Sequence, residues 1–176
     1  MKRVLFLSMM CLMALAIASC DKDGTGTSGD GNGGITPAGY VDLGLPSGTK
    51  WKATNETKSN DTCDFFTYDE AMEKFGTALP TRVQLEELEN NCQWTWDDTI
   101  KAYKVVGPNS KSIFLPAAGY RYCNGFVYHV GFYGYYWSST PIDSGYVWYL
   151  YFNAGEVNQY YYSRCYGLSV RLVHNP

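Results

Sequence analysis

The sequence predicts an α+β domain, and three observations support that prediction. A short apolar segment over residues 40–43 has the composition of a strand and ends in a Gly- and Pro-containing turn. Two stretches then begin with capping-box spacing, a Thr followed three residues later by Glu or Gln. Beyond Trp94, short aromatic segments alternate with Gly, Ser and Asn, which is typical of several short strands. Helices grouped between strands in this way indicate α+β rather than alternating α/β.

The two predicted helices are defined by their ends. The first lies between the cap Thr67 and Gly76, and the second lies between the cap Thr81 and Asn91. Each has an apolar face at helical spacing: Ala71, Met72 and Phe75 in the first, Leu85 and Leu88 in the second. We therefore expect both helices to pack one face against the strands.

The N-terminus has the organisation of an exported lipoprotein. Two basic residues precede an almost unbroken apolar run, residues 4–17, that is too short to be a stable membrane span. Ile-Ala-Ser before Cys20 resembles the bacterial lipobox, whose cysteine receives acyl chains that anchor a protein durably. We expect a signal peptide over residues 1–19, a lipidated Cys20 with a Gly-rich tether over residues 20–39, and one domain over residues 40–176. The tether is too polar to bury a core.

Composition excludes several functions. Without residues 1–19 the chain has 12 basic and 17 acidic residues, a net charge of −5, and no basic cluster. Nucleic-acid binding, which depends on phosphate neutralisation, is therefore not expected. The two histidines, His129 and His174, are interpreted as surface residues, so a histidine-based catalytic site has little material. Asp143 and Glu156 are the only carboxylates near the aromatic C-terminal segments, too few for a calcium site.

The cysteines do not define a metal site. Cys63, Cys92, Cys123 and Cys165 follow Cys20 at wide, irregular spacings, without a C-x-x-C pair. An oxidising compartment permits disulfides, but the sequence leaves their pairing open.

Five motifs follow one another along residues 40–173. They are DLGLPSGTxW at 42–51, LPT at 79–81, SIFLPAAGYR at 112–121, YWSS at 136–139 and SVR at 169–171. Together they resemble the Fibrobacter succinogenes major paralogous domain, a family similar to the C-type lectin fold and to formylglycine-generating enzymes. The resemblance implies a C-type lectin-like fold, with two helices packed on short antiparallel sheets and paired terminal strands. Residues 40–43 should then lie beside residues 168–172.

Tyrosines are concentrated in the C-terminal part of the chain, where 13 of the 16 lie at or beyond Tyr120. Residues 148–152 alternate strictly, which predicts a strand with Trp148, Leu150 and Phe152 facing the core and Tyr149 and Tyr151 facing outward. Residues 158–167 lack an apolar periodicity, so some of their tyrosines should be exposed. Tyrosine also suits strands in general, which is the alternative explanation.

Four further patterns lie in this region: GxYWSS at 134–139, WxLxFN at 148–153, GxVN at 155–158 and RxxGxSVR at 164–171. They resemble the variable region of proteins diversified by retroelements, in which adenine-directed mutagenesis acts mainly on Asn codons. Twelve intervening residues belong to the set reachable from such codons: Asp143, Ser144, Gly145, Tyr146, Tyr149, Tyr151, Tyr160, Tyr161, Tyr162, Ser163, Cys165 and Tyr166. Trp148 and Gln159 do not belong to this set, as expected of positions that are not diversified.

The sequence thus predicts a lipoprotein of the outer membrane, anchored through Cys20 and exposed at the cell surface. It would bind a macromolecular ligand, a protein or a glycan, through one exposed patch with Trp137, Trp148 and Val170 beneath it. The expected ligand-binding residues are Tyr133, Tyr135, Asp143, Ser144, Tyr146, Tyr149, Tyr151, Tyr160, Tyr161, Tyr162, Ser163, Cys165 and Tyr166. No catalytic residue, metal or cofactor is expected. The alternatives are an undiversified cell-envelope lipoprotein with a glycan-binding or structural role and, less favoured, a relative of formylglycine-generating enzymes.

Overall fold

The structure, a computed structural model, describes residues 36–58 and 64–176. The predicted signal peptide, Cys20, most of the tether and Cys63 lie outside the described residues. All described residues belong to one compact unit, Gly34–Pro176. None of the helices in this part of the chain is both long and apolar enough to cross a bilayer.

Two α-helices and eleven strands make up the domain. In chain order they are β1 (Tyr40–Asp42), β2 (Lys50–Lys52), α1 (Tyr68–Phe75), α2 (Arg82–Asn91), β3 (Gln93–Asp97), β4 (Ala102–Val106), β5 (Ser112–Pro116), β6 (Tyr120–Arg121), β7 (Val127–Tyr128), β8 (Gly134–Pro141), β9 (Tyr146–Asn153), β10 (Glu156–Ser163) and β11 (Val173–His174). A short 3₁₀ helix, Gly76–Ala78, follows α1 directly.

The predicted capping boxes are confirmed at both helices. The Thr67 side chain accepts a hydrogen bond from the backbone N–H of Glu70, and Thr81 accepts one from Gln84. In each case the side chain of the third helical residue also accepts from the backbone N–H of the capping Thr, so two free N–H groups gain partners. The helices therefore begin where the sequence indicated.

The strands form four small antiparallel sheets. Their orders are β1-β2-β11, β10-β9-β8, β3-β4-β5 and the two-stranded β6-β7. Strands occupy 40% of the described residues and helices 15%. The predicted α+β, C-type lectin-like arrangement of two helices on paired terminal strands is therefore wrong. The helices are only eight and ten residues long, and the aromatic second half of the chain supplies most of the sheet.

The predicted pairing of the terminal strands is wrong, and one strand, β10, was not predicted. The terminal strands do not pair with each other, because β2 lies between β1 and β11 and pairs with both. Strand β10 includes residues 158–163 of the segment 158–167, which lacks an apolar periodicity, and Tyr160 and Tyr161 are exposed on it as expected. Its register with β9 compensates for the absent pattern, because each residue from Glu156 to Ser163 has a partner on β9.

The central sheet β10-β9-β8 lies between two hydrophobic clusters. On one face, Tyr136, Leu150 and Phe152 pack with residues of α2 and of the β3-β4-β5 sheet. On the other face, Trp137 and Tyr149 pack with residues of α1, of the segment before it and of residues 168–172. Both faces of the middle of this sheet are therefore buried, and the site described next is the uncovered end of the second face.

Candidate functional site

Strand register brings tyrosines from three strands to one face of the central sheet. Tyr135 of β8 is the partner of Tyr151 of β9, and Tyr149 of β9 is the partner of Tyr160 of β10. Partners of this kind point to the same side of a sheet. Tyr166, in the loop after β10, adds its ring to this side. We call these seven residues the tyrosine face: Tyr133, Tyr135, Tyr149, Tyr151, Tyr160, Tyr162 and Tyr166.

The rings of the tyrosine face are packed against one another. Tyr162 lies between Tyr149, at 5.3 Å and 16° between planes, and Tyr166, at 4.0 Å and 15°. Tyr151 contacts Tyr160 edge-on at 5.6 Å. Nearly parallel rings cover each other's faces, so Tyr149 is only 6% exposed, whereas Tyr160 is 42% exposed. The tyrosine face thus has a buried floor, which includes Tyr135 and Tyr149, and an exposed rim, which includes Tyr160.

The predicted outward orientation of Tyr149 is wrong, although the predicted alternation is confirmed. Leu150 and Phe152 are buried on one face and Tyr149 points to the other. That second face, however, carries its own cluster, in which Trp137 and Val170 are fully buried beside Tyr149. Period-two patterning separates the faces of a strand but cannot tell which face is covered.

Three hydroxyl groups of the tyrosine face have polar partners that are not tyrosines. Tyr160 donates to a Glu156 carboxylate oxygen at 3.1 Å, and Tyr151 accepts from the side-chain amide of Asn153 at 2.9 Å. The Tyr135 hydroxyl lies 2.9 Å from Nδ1 of His129. These contacts fix ring positions and leave the hydroxyl oxygens with further hydrogen-bonding capacity.

The tyrosine face is uncharged at neutral pH. Burial, followed by the proximity of neighbouring tyrosines, raises the pKa of Tyr135 and of Tyr149 well above the usual tyrosine value. Burial likewise raises the pKa of Tyr162. At Tyr160 the hydrogen bond to Glu156 is the main cause of a raised pKa. This surface therefore offers shape, apolar contact and neutral hydrogen bonds rather than charge.

Two of the predicted binding tyrosines lie on the opposite face of the sheet. Tyr161 is the β9 partner of Trp148, and its ring contacts both Trp148 and Tyr146. The guanidinium carbon of Arg82 lies 3.7 Å from the centre of a Trp148 ring. The prediction of one patch with Trp148 beneath it is therefore wrong, because odd and even positions of adjacent strands point to opposite sides.

The remaining predicted residues lie at the end of the sheet, Ser163 as the last residue of β10 and Asp143, Ser144 and Cys165 in turns. Asp143 accepts hydrogen bonds from two backbone N–H groups of its own turn, and Ser144 is exposed in the same turn. Cys165 forms a disulfide with Cys123, and the Ser163 hydroxyl lies 3.4 Å from the Cys165 sulfur. The side chains of Asp143 and Cys165 thus stabilise the local backbone, through the turn hydrogen bonds and the disulfide.

The β6-β7 hairpin contributes site residues that the sequence reasoning missed. Tyr120 lies 5.0 Å from Tyr135 and 5.8 Å from Tyr162, ring centre to ring centre. Tyr122 and Tyr128 continue this aromatic cluster outward. Tyr120, Tyr122 and Tyr128 lie in the tyrosine-rich C-terminal part of the sequence. That concentration of tyrosines is the sequence feature by which they could have been predicted as site residues.

Two clefts in the described part of the chain lie away from the tyrosine face. One, of about 450 Å³, is lined by Lys58, Phe66, Glu70, Glu73 and Lys74. The other, of about 610 Å³, is lined mainly by hydroxyl and amide side chains around Thr49, Gln84 and Asn175. Neither includes a residue of the tyrosine face, so that surface is not part of either concave site.

The described residues carry neither a metal-ligand cluster nor an activated thiol. They contain no group of three His, Cys, Asp or Glu side chains placed to hold a metal ion. The thiol of Cys92 has its pKa raised to about 11, first by burial and then by the charge of Glu87, so it stays protonated and poorly nucleophilic.

Comparison with known proteins gives one match. Residues 96–173, which include β4 to β10 and the whole tyrosine face, match the model of a domain of unknown function, DUF8237. No curated protein and no solved structure matches the chain.

Proposed function

We propose that the tyrosine face binds a macromolecular ligand. The observation that supports this proposal is the convergence of seven tyrosines from β8, β9, β10 and two adjoining loops on one side of the sheet. Tyrosine provides a large contact area and a hydrogen-bonding tip at a low cost in side-chain entropy. Because these rings already pack against one another, little further ordering is needed on binding.

We also propose that the chain is displayed at a cell surface. The lipobox-like sequence before Cys20 and the glycine-rich residues after it support a lipid-anchored domain on a flexible tether. Replacing Cys20 with Ala should abolish incorporation of a labelled fatty acid and release the protein from the membrane fraction. Incorporation of label that is unchanged by Cys20→Ala would contradict the anchor.

Diversification by a retroelement is compatible with the arrangement of the sheet. Within the codon-reachable set, Tyr149, Tyr151, Tyr160 and Tyr162 lie on the tyrosine face, and Tyr146 and Tyr161 are exposed on the opposite face. A reverse-transcriptase gene next to a near-copy of this coding segment, differing at adenines, would distinguish a diversified protein from an undiversified envelope lipoprotein.

Binding can be tested with two matched double variants. The chain from Asp21 to Pro176 is labelled and incubated with a panel of bacterial and animal cells. Tyr151→Ser with Tyr160→Ser alters the tyrosine face, and the control, Tyr146→Ser with Tyr161→Ser, alters the same residue type on the opposite face. We expect the first variant to lose at least tenfold in affinity and the control to bind like the parent.

Denaturant midpoints establish that both double variants are folded. Equal affinity of the two variants, or no binding to any cell in the panel, contradicts the proposal.

A further inference from the structure

The hairpin beside the tyrosine face exposes an unusual amount of apolar surface. Six large side chains of residues 122–132 are between 37% and 69% exposed: Tyr122, Phe126, Val127, Tyr128, Val130 and Phe132. The surrounding sequence, residues 99–142, contains no Asp or Glu, although the chain has 17 acidic residues. Contiguous exposed apolar surface of this kind is typical of interaction sites.

Hairpin register connects this apolar surface to the tyrosine face. The backbone N–H of Tyr122 donates to the carbonyl of Phe126 at 2.8 Å, and Tyr120 is the β-partner of Tyr128. Phe126 directly precedes β7, so this hydrogen bond extends the hairpin pairing by one position, to Tyr122 and Phe126. The ring of Tyr122 lies 5.0 Å from that of Tyr166. The two surfaces therefore form one continuous aromatic region.

The hairpin is held to the domain next to the tyrosine face. The Cys123–Cys165 disulfide joins it to the loop that carries Tyr166. Arg121 and Gly167 exchange two backbone hydrogen bonds, each of 2.8 Å. A ligand that covers the tyrosine face therefore also meets the hairpin in a defined position.

The chemistry of this combined region favours a protein over a glycan. The faces of Tyr149, Tyr162 and Tyr166 are covered by one another and are closed to a stacking sugar. A sugar that stacked on Phe126 would also need polar side chains for its hydroxyl groups, and residues 99–142 supply no carboxylate for them. By contrast, the centres of protein–protein interfaces are rich in aromatic residues and poor in charged ones.

We propose that the ligand of the tyrosine face is a protein, whose own apolar patch seats on Phe126 of the β6-β7 hairpin. This inference rests on the proposed function of the tyrosine face and adds the ligand class and a further contact residue. The partner surface carries apolar side chains opposite the hairpin and hydrogen-bonding groups opposite the rim hydroxyls of the tyrosine face.

The test uses the cells that bind the chain. They are treated with proteinase K, which removes surface proteins, or with sodium periodate, which oxidises glycans, before binding is measured. Phe126→Ser is compared with Phe114→Ser, a change of the same residue type at an exposed position on β5, in the separate β3-β4-β5 sheet. We expect proteinase K to abolish binding, periodate to leave it intact, and only Phe126→Ser to weaken it, by at least tenfold.

The outcomes separate the two proposals. Loss of binding after periodate, with or without loss after proteinase K, overturns the protein-ligand inference while leaving the tyrosine face as the site. Equal affinity of Phe126→Ser and Phe114→Ser overturns the role of the hairpin. The proposed function is tested separately, because it fails if the Tyr151→Ser, Tyr160→Ser variant binds like the parent or with the same affinity as the Tyr146→Ser, Tyr161→Ser control. Unchanged thermal midpoints show that each variant is folded.

Discussion

At the scale of single residues, the guanidinium of Arg171 connects three parts of the domain. It is 2% exposed and donates to the side-chain carbonyl of Asn55 and to the backbone carbonyls of Lys52, Ala53 and Phe114, at 2.6–2.9 Å. The acceptors come from the end of β2, the residues after it and β5. Burial lowers the pKa of this group, and hydrogen bonds from a charged donor offset that desolvation.

Replacing Arg171 with Met should therefore destabilise the domain strongly. Its four acceptors would lose a charged donor, and a lost hydrogen bond to a charged group costs about 1.5–3 kcal/mol. We expect a loss of at least about 3 kcal/mol in urea unfolding. Arg82→Met is the control, because that exposed guanidinium only stacks on Trp148 and should cost less than about 1 kcal/mol. Similar losses for the two variants would show that the Arg171 network contributes little.

The buried tyrosines predict how stability depends on alkaline pH. The pKa values of Tyr135, Tyr149 and Tyr162 are raised by burial in the folded protein, and that of Tyr136 is raised to about 12. In the unfolded chain all four ionise near pH 10. The unfolded state therefore loses these protons first, so their stabilisation is complete below about pH 10 and is lost as the pH rises further.

Tyrosinate absorbance and near-UV circular dichroism, recorded together against pH, measure this effect. We expect a group of tyrosines to ionise only as the tertiary signal disappears. Ionisation of all tyrosines near pH 10 with the tertiary signal intact would contradict the buried floor of the tyrosine face.

At the scale of secondary-structure elements, β9 is buried on both faces over its middle. Tyr149→Ser should therefore destabilise the protein to a similar extent as Phe152→Ala, by roughly 3–5 kcal/mol, because each removes a ring from a packed cluster. Tyr160→Ser, on the exposed rim, should cost less than about 1 kcal/mol. Denaturant midpoints compare the three variants directly. A loss for Tyr149→Ser as small as that for Tyr160→Ser would indicate that the ring is not part of the core.

Local signals in the sequence were sufficient for some elements and insufficient for others. The capping boxes at Thr67 and Thr81 predicted both helix starts, because a cap depends only on residues three positions apart. The alternation along β9 predicted which side chains share a face. Strand β10 was missed because its order comes from pairing with β9 rather than from its own apolar pattern.

At the scale of the whole molecule, some features depend on contacts between residues that are distant in sequence, and local sequence patterns did not predict them. The burial of Tyr149 depends on the rings of Trp137 and Tyr162, 6.4 and 5.3 Å away, which belong to the neighbouring strands β8 and β10. The Cys123–Cys165 pairing depends on the position of the β6-β7 hairpin. For the same reason the tyrosine-rich segments were recognised as a candidate site, yet their division between two faces of one sheet was not.

The central claim is that the tyrosine face, and not the opposite face of the sheet, contacts the ligand. The most direct measurement is tyrosine footprinting by mass spectrometry, in which the chain is labelled with a tyrosine-reactive reagent while free and while bound to cells. Tyr160 is exposed on the tyrosine face and Tyr161 on the opposite one, at 42% and 55%, so both should react in the free protein. We predict that binding protects Tyr160 and leaves Tyr161 reactive. Protection of Tyr161 with Tyr160 still reactive, or protection of neither, would contradict the account.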